Sequence, residues 1–374
     1  MNKICLPEET SMTDGSYMQI GVCVKFIHIA DVHLGMIPDA GYPWSNARAE
    51  EMWKTLGKVV KRCNQDQIDL LFIAGDLFHR QPLKKELKEL NYLFSTLEKT
   101  KVVIIAGNHD CIREESYYKN YTWSEQVTLL QSEELERVYF EELDTEISGF
   151  SYHQSEIRDE RYKDIIRGRR GRYQILIAHG GDEKHIPIDF FDLATKRFDY
   201  VALGHIHKPN LMPEKNMAYC GSLEPTDRND LGERGYIQGE ITEEGTKFSF
   251  VPASARVYIS LRITIQSDTT EGALCEKLKE TMESHGKENI YKITLDGSYD
   301  PEARLDLDKI QEIGNIIQIV DESSPEYDID VLRKEHRDDV IGMYIEAFLQ
   351  EPLTEERKKA LYYGINALLW QGGR

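Results

Sequence analysis

The chain is short of the features that would place it outside the globular cytosolic enzymes. Six cysteines in 374 residues (Cys5, Cys23, Cys63, Cys111, Cys220 and Cys275) are scattered without a C-x-x-C pair. That usage argues against a disulfide scaffold and a thiolate zinc site, and fits reduced thiols. No stretch approaches the roughly 20 apolar residues of a membrane span, and the N-terminus has no apolar signal-peptide core. The expected location is cytoplasmic, with no membrane partner. Basic excess is missing too: formal net charge is −19. Proteins that grip nucleic acid through phosphates usually carry a basic stripe, so a chain this acidic is expected to bind nucleic acid only weakly by itself.

What is present is a set of short apolar runs, each ending in acid, amide or imidazole side chains. They read FIHIADVH (26–33), LLFIAGD (70–76), VVIIAGNHD (102–110), ILIAHGG (175–181) and VALGHIH (201–207). Length and composition predict buried parallel strands, with the polar residues at their C-terminal ends, where open α/β sheets place their sites. Asp31, His33, Asp76, Asn108, His179, His205 and His207 together offer carboxylate, amide and imidazole donors and no thiolate. Such a set suits two divalent ions, Mn²⁺ foremost, with Fe or Zn²⁺ as alternatives. Asp76 is the expected bridge, because one carboxylate can hold two ions about 3.5–4 Å apart.

Each block alone says little, since Asp, Asn and Gly favour strand-to-turn junctions for backbone reasons. Their ordered co-occurrence carries the weight: His33, His79, His109, His179, His205 and His207, six of the eleven histidines, stand at or just after the ends of these runs. His28, His153, His185, His285 and His336 are expected at the surface or in satisfied core positions, with His28 against a helix layer.

In these blocks the chain resembles the calcineurin-like metallophosphoesterases. Further, ADVHLG (30–35), GDLFH (75–79), GNHD (107–110), GHIHKP (204–209) and YCGSLEP (219–225) look like the SbcD-type DNA repair nucleases. The resemblance is good over residues 24–225 and loose beyond, and Cys220 stands where the family usually has Pro. It implies a four-layer α/β/β/α sandwich. By motif, Asp31, His33, Asp76 and His207 would hold one ion, and Asp76, Asn108, His179 and His205 the other. His109 would act on the phosphate as general acid, Asp110 would orient it, and His79 would help place the substrate strand. The implied activity is a Mn²⁺-dependent DNA phosphodiesterase, a 3′-to-5′ exonuclease with single-strand endonuclease activity, working as a homodimer with an SbcC-type coiled-coil ATPase. The alternatives are a small-substrate phosphoesterase and a non-catalytic scaffold of the same fold. A complete ligand set opposes the scaffold; GDLFH and the segment after residue 253 oppose the small substrates.

Periodicity orders the rest. Residues 1–23 are expected to be a loose tail and 24–252 the nuclease domain, with amphipathic helices over 46–64 and 83–99 forming a βαβαβ unit. Segments around 137–157 and 217–252 are expected to supply a second sheet. Residues 253–325 read as a small β-α-β-α-β module, which the resemblance makes a cap over the site. Residues 326–374 follow as two helices, 329–349 and 355–370, either packing on the cap or docking the ATPase. Residues 321–360 carry twelve acids and six Lys or Arg, a poor surface for DNA. Residues 158–172 hold seven Arg or Lys against three acids; they are either a solvated linker or a phosphate-contacting ridge. Tyr117, Tyr118, Tyr121 and Trp123 form an aromatic patch expected either at a dimer contact or over the sheet.

Overall fold

A computed structural model describes residues 23–301 and 305–369. Apart from Cys23, the tail expected over residues 1–23 lies outside the described residues. The first sheet grows from the predicted βαβαβ unit: β1 (Val24–Ile29), α1 (Ser45–Gln65), β2 (Leu70–Ala74), α2 (Lys84–Ser95) and β3 (Lys101–Ile105), with the three strands parallel. A short β4 (Val127–Leu129) extends it beside β3. Helix α1 buries Met52, Leu56, Val59, Val60 and Cys63, the stripe its spacing requires. Helix α2 is shorter than its periodicity suggests. The hydroxyls of Ser95 and Thr96 bond the carbonyls of Tyr92 and Leu93, taking acceptors at the helix end and closing it there.

The second sheet contains β5 (Glu136–Phe140), β6 (Thr145–Gly149), β7 (Tyr173–His179), β8 (Tyr200–Gly204), β9 (Asn210–Met212) and β10 (Met217–Tyr219), with α3 (Phe190–Thr195) between β7 and β8. Its strand order is β5-β6-β7-β8-β10-β9. The expectation for residues 217–252 is corrected here. Only β10 joins this sheet; the hairpin β11 (Gly235–Thr242) and β12 (Gly245–Pro252) pairs antiparallel with β1 at the edge of the first. Its placement covers a free strand edge, which buried parallel strands cannot leave open. Gly239, opposite Phe26, makes the pairing possible, because a Cβ there would come within 2.6 Å of the Phe26 ring.

Phe26, Phe72, Val103 and Ile105 of the first sheet pack against Ile147, Ile175, Ile177 and Tyr200 of the second. Helices α1 and α2 cover the outer face of the first sheet, and α3 with the 157–165 segment covers the second. The architecture is thus mixed α/β, layered α/β/β/α. His28 lies on the same face as Phe26, so it points between the sheets instead of against helices, and its Nδ1 lies 3.0 Å from the Tyr200 hydroxyl.

After residue 253 a separate parallel sheet forms from β13 (Tyr258–Ile265), β14 (Ile290–Tyr299), β15 (Ile316–Asp321) and the two-residue β16 (Ser324–Pro325), with α4 (Glu271–His285) and α5 (Leu307–Gln311) on it. The expected helix over 302–314 shrinks to α5, with residues 302–304 outside the description. This module leans on the loop behind His33: the Tyr258 hydroxyl donates to Asp39 at 2.6 Å, Tyr42 donates to the Ile317 carbonyl at 2.9 Å, and Arg256 pairs with Glu51 at 2.8 Å. The predicted helix 329–349 is broken into α6 (Ile329–Glu335) and α7 (Val340–Leu349). Asp339 causes the break, because its carboxylate caps α7 through the Ile341 and Gly342 amides. Val340, the first residue of α7, is 62% exposed. With α8 (Glu355–Leu369) these helices bury Tyr327, Ile341, Ile345, Leu361 and Ile365 in a small core of their own. Among the described residues, no helix is long and apolar enough to cross a membrane.

Candidate metal centre

The two sheets bring the C-terminal ends of β1, β2 and β3 from one side, and of β7 and β8 from the other, to a common edge. Backbone geometry marks the junction: Asp31 (φ 50°), His33 (φ 50°), Asp76 (φ 48°) and His205 (φ 98°) all sit in the left-handed region. Non-glycine residues held there cost on the order of 1–3 kcal/mol each, a strain that clusters at functional sites. Close glycines make the approach possible. A Cβ on Gly107 would collide with the Asp76 carboxylate, and one on Gly75 with the His179 ring.

All seven predicted donors meet at this edge. The Nε2 atoms of His33 and His207 lie 3.1 Å apart. Asn108 Oδ1 is 2.9 Å from His179 Nε2 and 3.2 Å from His205 Nδ1. Asp76 Oδ2 stands between the two groups, 3.5 Å from His179 Nε2 and 3.9 Å from His33 Nε2, while its other oxygen accepts the His109 amide at 2.8 Å. Asp31 accepts the His205 amide at 2.9 Å and lies with both Asp76 and His179, and with His33 and His207, at metal-ligating separations.

Electrostatics keeps these groups in unusual states. Burial pushes Asp31 up to about 6, although His179 and His207 oppose it. Burial works the same way on Asp76, but there the charge and hydrogen bond of His179, with His33 and His109, outweigh it and hold the carboxylate well below its usual range. For His179 burial favours the neutral ring; Asp76 and Asp31 overcome it and raise the group to about 9. Burial takes His33 down to about 3, and burial with the His179 charge takes His205 to about 4. Such opposed shifts in one cluster are a signature of functional sites.

The comparisons with known proteins agree with this geometry. Residues 24–209 match the calcineurin-like phosphoesterase family. The chain carries a calcineurin-like phosphoesterase domain. Proteins of this family depend on a dinuclear metal centre, and the Asp and His clusters here fit metal binding. The chain is similar to the uncharacterized metallophosphoesterase YhaO of Bacillus subtilis, 24% identical over 74% of this chain and 72% of that protein. It is also similar to two proteins named DNA double-strand break repair protein Mre11. The one from Methanocaldococcus jannaschii is 32% identical over 55% of this chain and 58% of its own length; the one from Archaeoglobus fulgidus is 27% identical over 74% and 69%.

Around the phosphoesterase centre stand the other predicted residues. His109 is exposed at the rim, its ring 4.8 Å from that of His33 and stacked on His79 at 4.9 Å. Its Nδ1 lies 3.2 Å from the His79 carbonyl. Asp110, expected to orient His109, does not reach that ring. Its carboxylate accepts the Gly107 amide at 2.8 Å, the Phe78 amide at 3.2 Å and the Tyr118 hydroxyl at 2.9 Å, so it fixes the turn that presents Asn108 and His109. The aromatic patch is partly dismantled: Tyr118 is wholly buried, and Tyr121 and Trp123 pack on the first core, leaving Tyr117 exposed under Lys84. The basic segment 158–172 is engaged within the chain. Arg158, Arg161, Lys163, Arg167 and Arg172 face acids, and Arg170 lies over the Tyr139 ring at 4.2 Å.

Asp182 and Asp230 escaped the sequence reading, and His185, expected only as a surface or satisfied position, stands at the centre with them. Asp182 and His185, just after the Gly180–Gly181 turn, close on His205, the His185 and His205 rings standing 4.5 Å apart. Asp230 lies behind His207. Asp182 stands three residues after His179, a spacing too common in loops to notice, and Asp230 is 23 residues from His207 and gave no local signal.

Proposed function

We propose that the chain is a two-metal phosphodiesterase that cleaves DNA. The observation that supports this most is the convergence of four imidazoles, two carboxylates and the Asn108 amide at one edge between two sheets, with an exposed histidine beside them. Asp31, His33, Asp76 and His207 would hold one divalent ion, Mn²⁺ foremost, and Asp76, Asn108, His179 and His205 the other. Bound together, the ions would supply a nucleophile at neutral pH and neutralise charge on the phosphoryl oxygens. Asp76 suits the bridging place because one oxygen faces both imidazole groups while the other is held by a backbone amide. As an imidazolium, His109 would hand its Nε2 proton to the leaving oxygen while its Nδ1–H stays on the His79 carbonyl, ending neutral after the transfer. His79, stacked on His109, would line the path of the nucleotide strand.

DNA is favoured as substrate by the similarity to two proteins named for DNA double-strand break repair. A 3′-to-5′ exonuclease of the SbcD type, working as a homodimer with an SbcC-type ATPase and with residues 253–325 as its cap, extends this reading. The test uses Mn²⁺-loaded protein on end-labelled duplex and single-stranded DNA beside bis-p-nitrophenyl phosphate. Shortening of the labelled DNA from its 3′ end is expected. Turnover of the small diester with intact DNA would contradict the nuclease reading and leave a small-substrate phosphoesterase; inactivity on both would remove the enzyme.

A further inference from the structure

Of the four metal-facing imidazoles, His33 has no hydrogen-bond partner among the described residues at its second nitrogen, Nδ1, whereas in the other three a partner at the second nitrogen sets which one is free. For His179 the partner is backbone: Nδ1 donates to the Ala74 carbonyl at 2.8 Å, so Nε2 faces Asn108 and Asp76. For His205 and His207 it is a carboxylate from outside the motif blocks. Asp182 Oδ2 lies 2.8 Å from His205 Nε2, on the side of the ring away from Asn108. Asp230 Oδ2 lies 3.3 Å from His207 Nδ1, away from the His33 contact, and shares that nitrogen with the Thr226 hydroxyl oxygen at 3.1 Å, whose own proton goes to Asp230.

Both acids are held where they stand. Asp182 is about half exposed, yet its Oδ1 accepts the Lys184 and His185 amides at 2.8 and 2.9 Å, and His185 Nδ1 lies at 2.9 Å. The turn before it needs its glycines: Gly180 and Gly181 have φ of 142° and 128°, and a Cβ on Gly181 would collide with the Tyr219 hydroxyl. Asp230 accepts the Thr226 amide and hydroxyl, each at 2.9 Å, and Arg234 at 3.3 Å.

We infer that Asp182 and Asp230 are positioning residues for the two metal ions, one acid to each ion: Asp182 through His205 and Asp230 through His207. Each carboxylate takes the N–H of its imidazole, fixes the tautomer that leaves the other nitrogen unprotonated, and makes that nitrogen a stronger donor. The inference rests on the two-metal reading of the centre.

The test is a Co²⁺ titration of wild type, Asp182→Asn, Asp230→Asn and the double variant, followed by visible absorption, with the melting temperature of each metal-free protein beside it. Wild type is expected to bind two ions. Each single variant should keep one ion at wild-type affinity and hold the other about 10–100-fold more weakly, the usual cost of losing such a partner. The double variant should hold both weakly. Wild-type affinities in the single variants would overturn the inference and leave the two-metal reading standing, as would a double variant that still holds one ion tightly. A wild type that binds fewer than two ions would overturn the reading beneath it. A lowered melting temperature of the metal-free variants would assign the acids to folding and also overturn the inference; Asp182, half exposed, is the substitution on which that outcome is cleanly separated.

Discussion

His109 is set apart from its neighbours by exposure. It stands at the rim, with its Nδ1 at a backbone carbonyl. Replacing it with Ala should therefore leave the donors around Asp76 intact and lower turnover of a phosphodiester by about 10²–10⁴, the usual contribution of a positioned acid. Turnover and Mn²⁺ content measured on the same preparation check this; loss of Mn²⁺ would make His109 a ligand. His28 gives a second prediction at this scale. Burial between the sheets drives its pKa down to about 3, from 6.5 in an unfolded chain. A base depressed in the fold contributes its stability above pH 6.5, and that contribution is lost as pH falls toward 3. The loss is about 1.4 kcal/mol per pH unit within that window. His28→Gln, which keeps a polar partner for Tyr200 but cannot protonate there, should show a flatter fall of denaturation midpoint between pH 7 and pH 5 than wild type. Equal slopes would contradict the assignment. Residues inside linear blocks were legible because strand, turn and donor lie next to one another in the chain. Asp182 and Asp230 were not, because only the folded loops bring them behind His205 and His207. Asp110 misled for the opposite reason: adjacency to His109 suggested a contact that the turn directs elsewhere.

At the scale of elements, the motif strands and the βαβαβ unit were readable from apolar runs and helical stripes. The β11–β12 hairpin was not assignable to its sheet, because its alternation satisfies either sheet and only the open edge of β1 decides between them. Helix ends were equally hidden, since single caps at Thr96 and Asp339 override longer apolar periods. The contact between β13 and the loop behind His33 also lies at this scale. Arg256 reaches Glu51, and Tyr258 reaches Asp39, so the C-terminal module is fastened to the segment that follows two of the donors. The pair Arg256–Glu51 is largely shielded from water. Arg256→Ala should lower stability by about 1.5–3 kcal/mol, the range for hydrogen bonds to charged groups. Urea denaturation measures it, and an unchanged midpoint would show that the module is held without this pair, by the Tyr258 and Tyr42 hydrogen bonds and the apolar contacts of Tyr42, Trp44, Ile290 and Ile317.

For the whole molecule, charge and grip must be reconciled. Net charge is −19, and most of the basic segment 158–172 is engaged inside the chain, so neither favours drawing DNA in by charge. The proposed nuclease would depend on its ions and on a second copy or partner for hold, as paired weak contacts add. Light scattering at micromolar concentration should give about twice the chain mass; a particle of 43.3 kDa would contradict the dimer.

The account turns on two ions sharing Asp76. Elemental analysis of Mn²⁺-saturated protein after removal of free metal tests it most directly. Two ions per chain are expected for wild type, with Asp76→Asn losing occupancy at both sites, because the bridge gives up its charge. One ion or none in wild type, or a variant that loses only one, would contradict it.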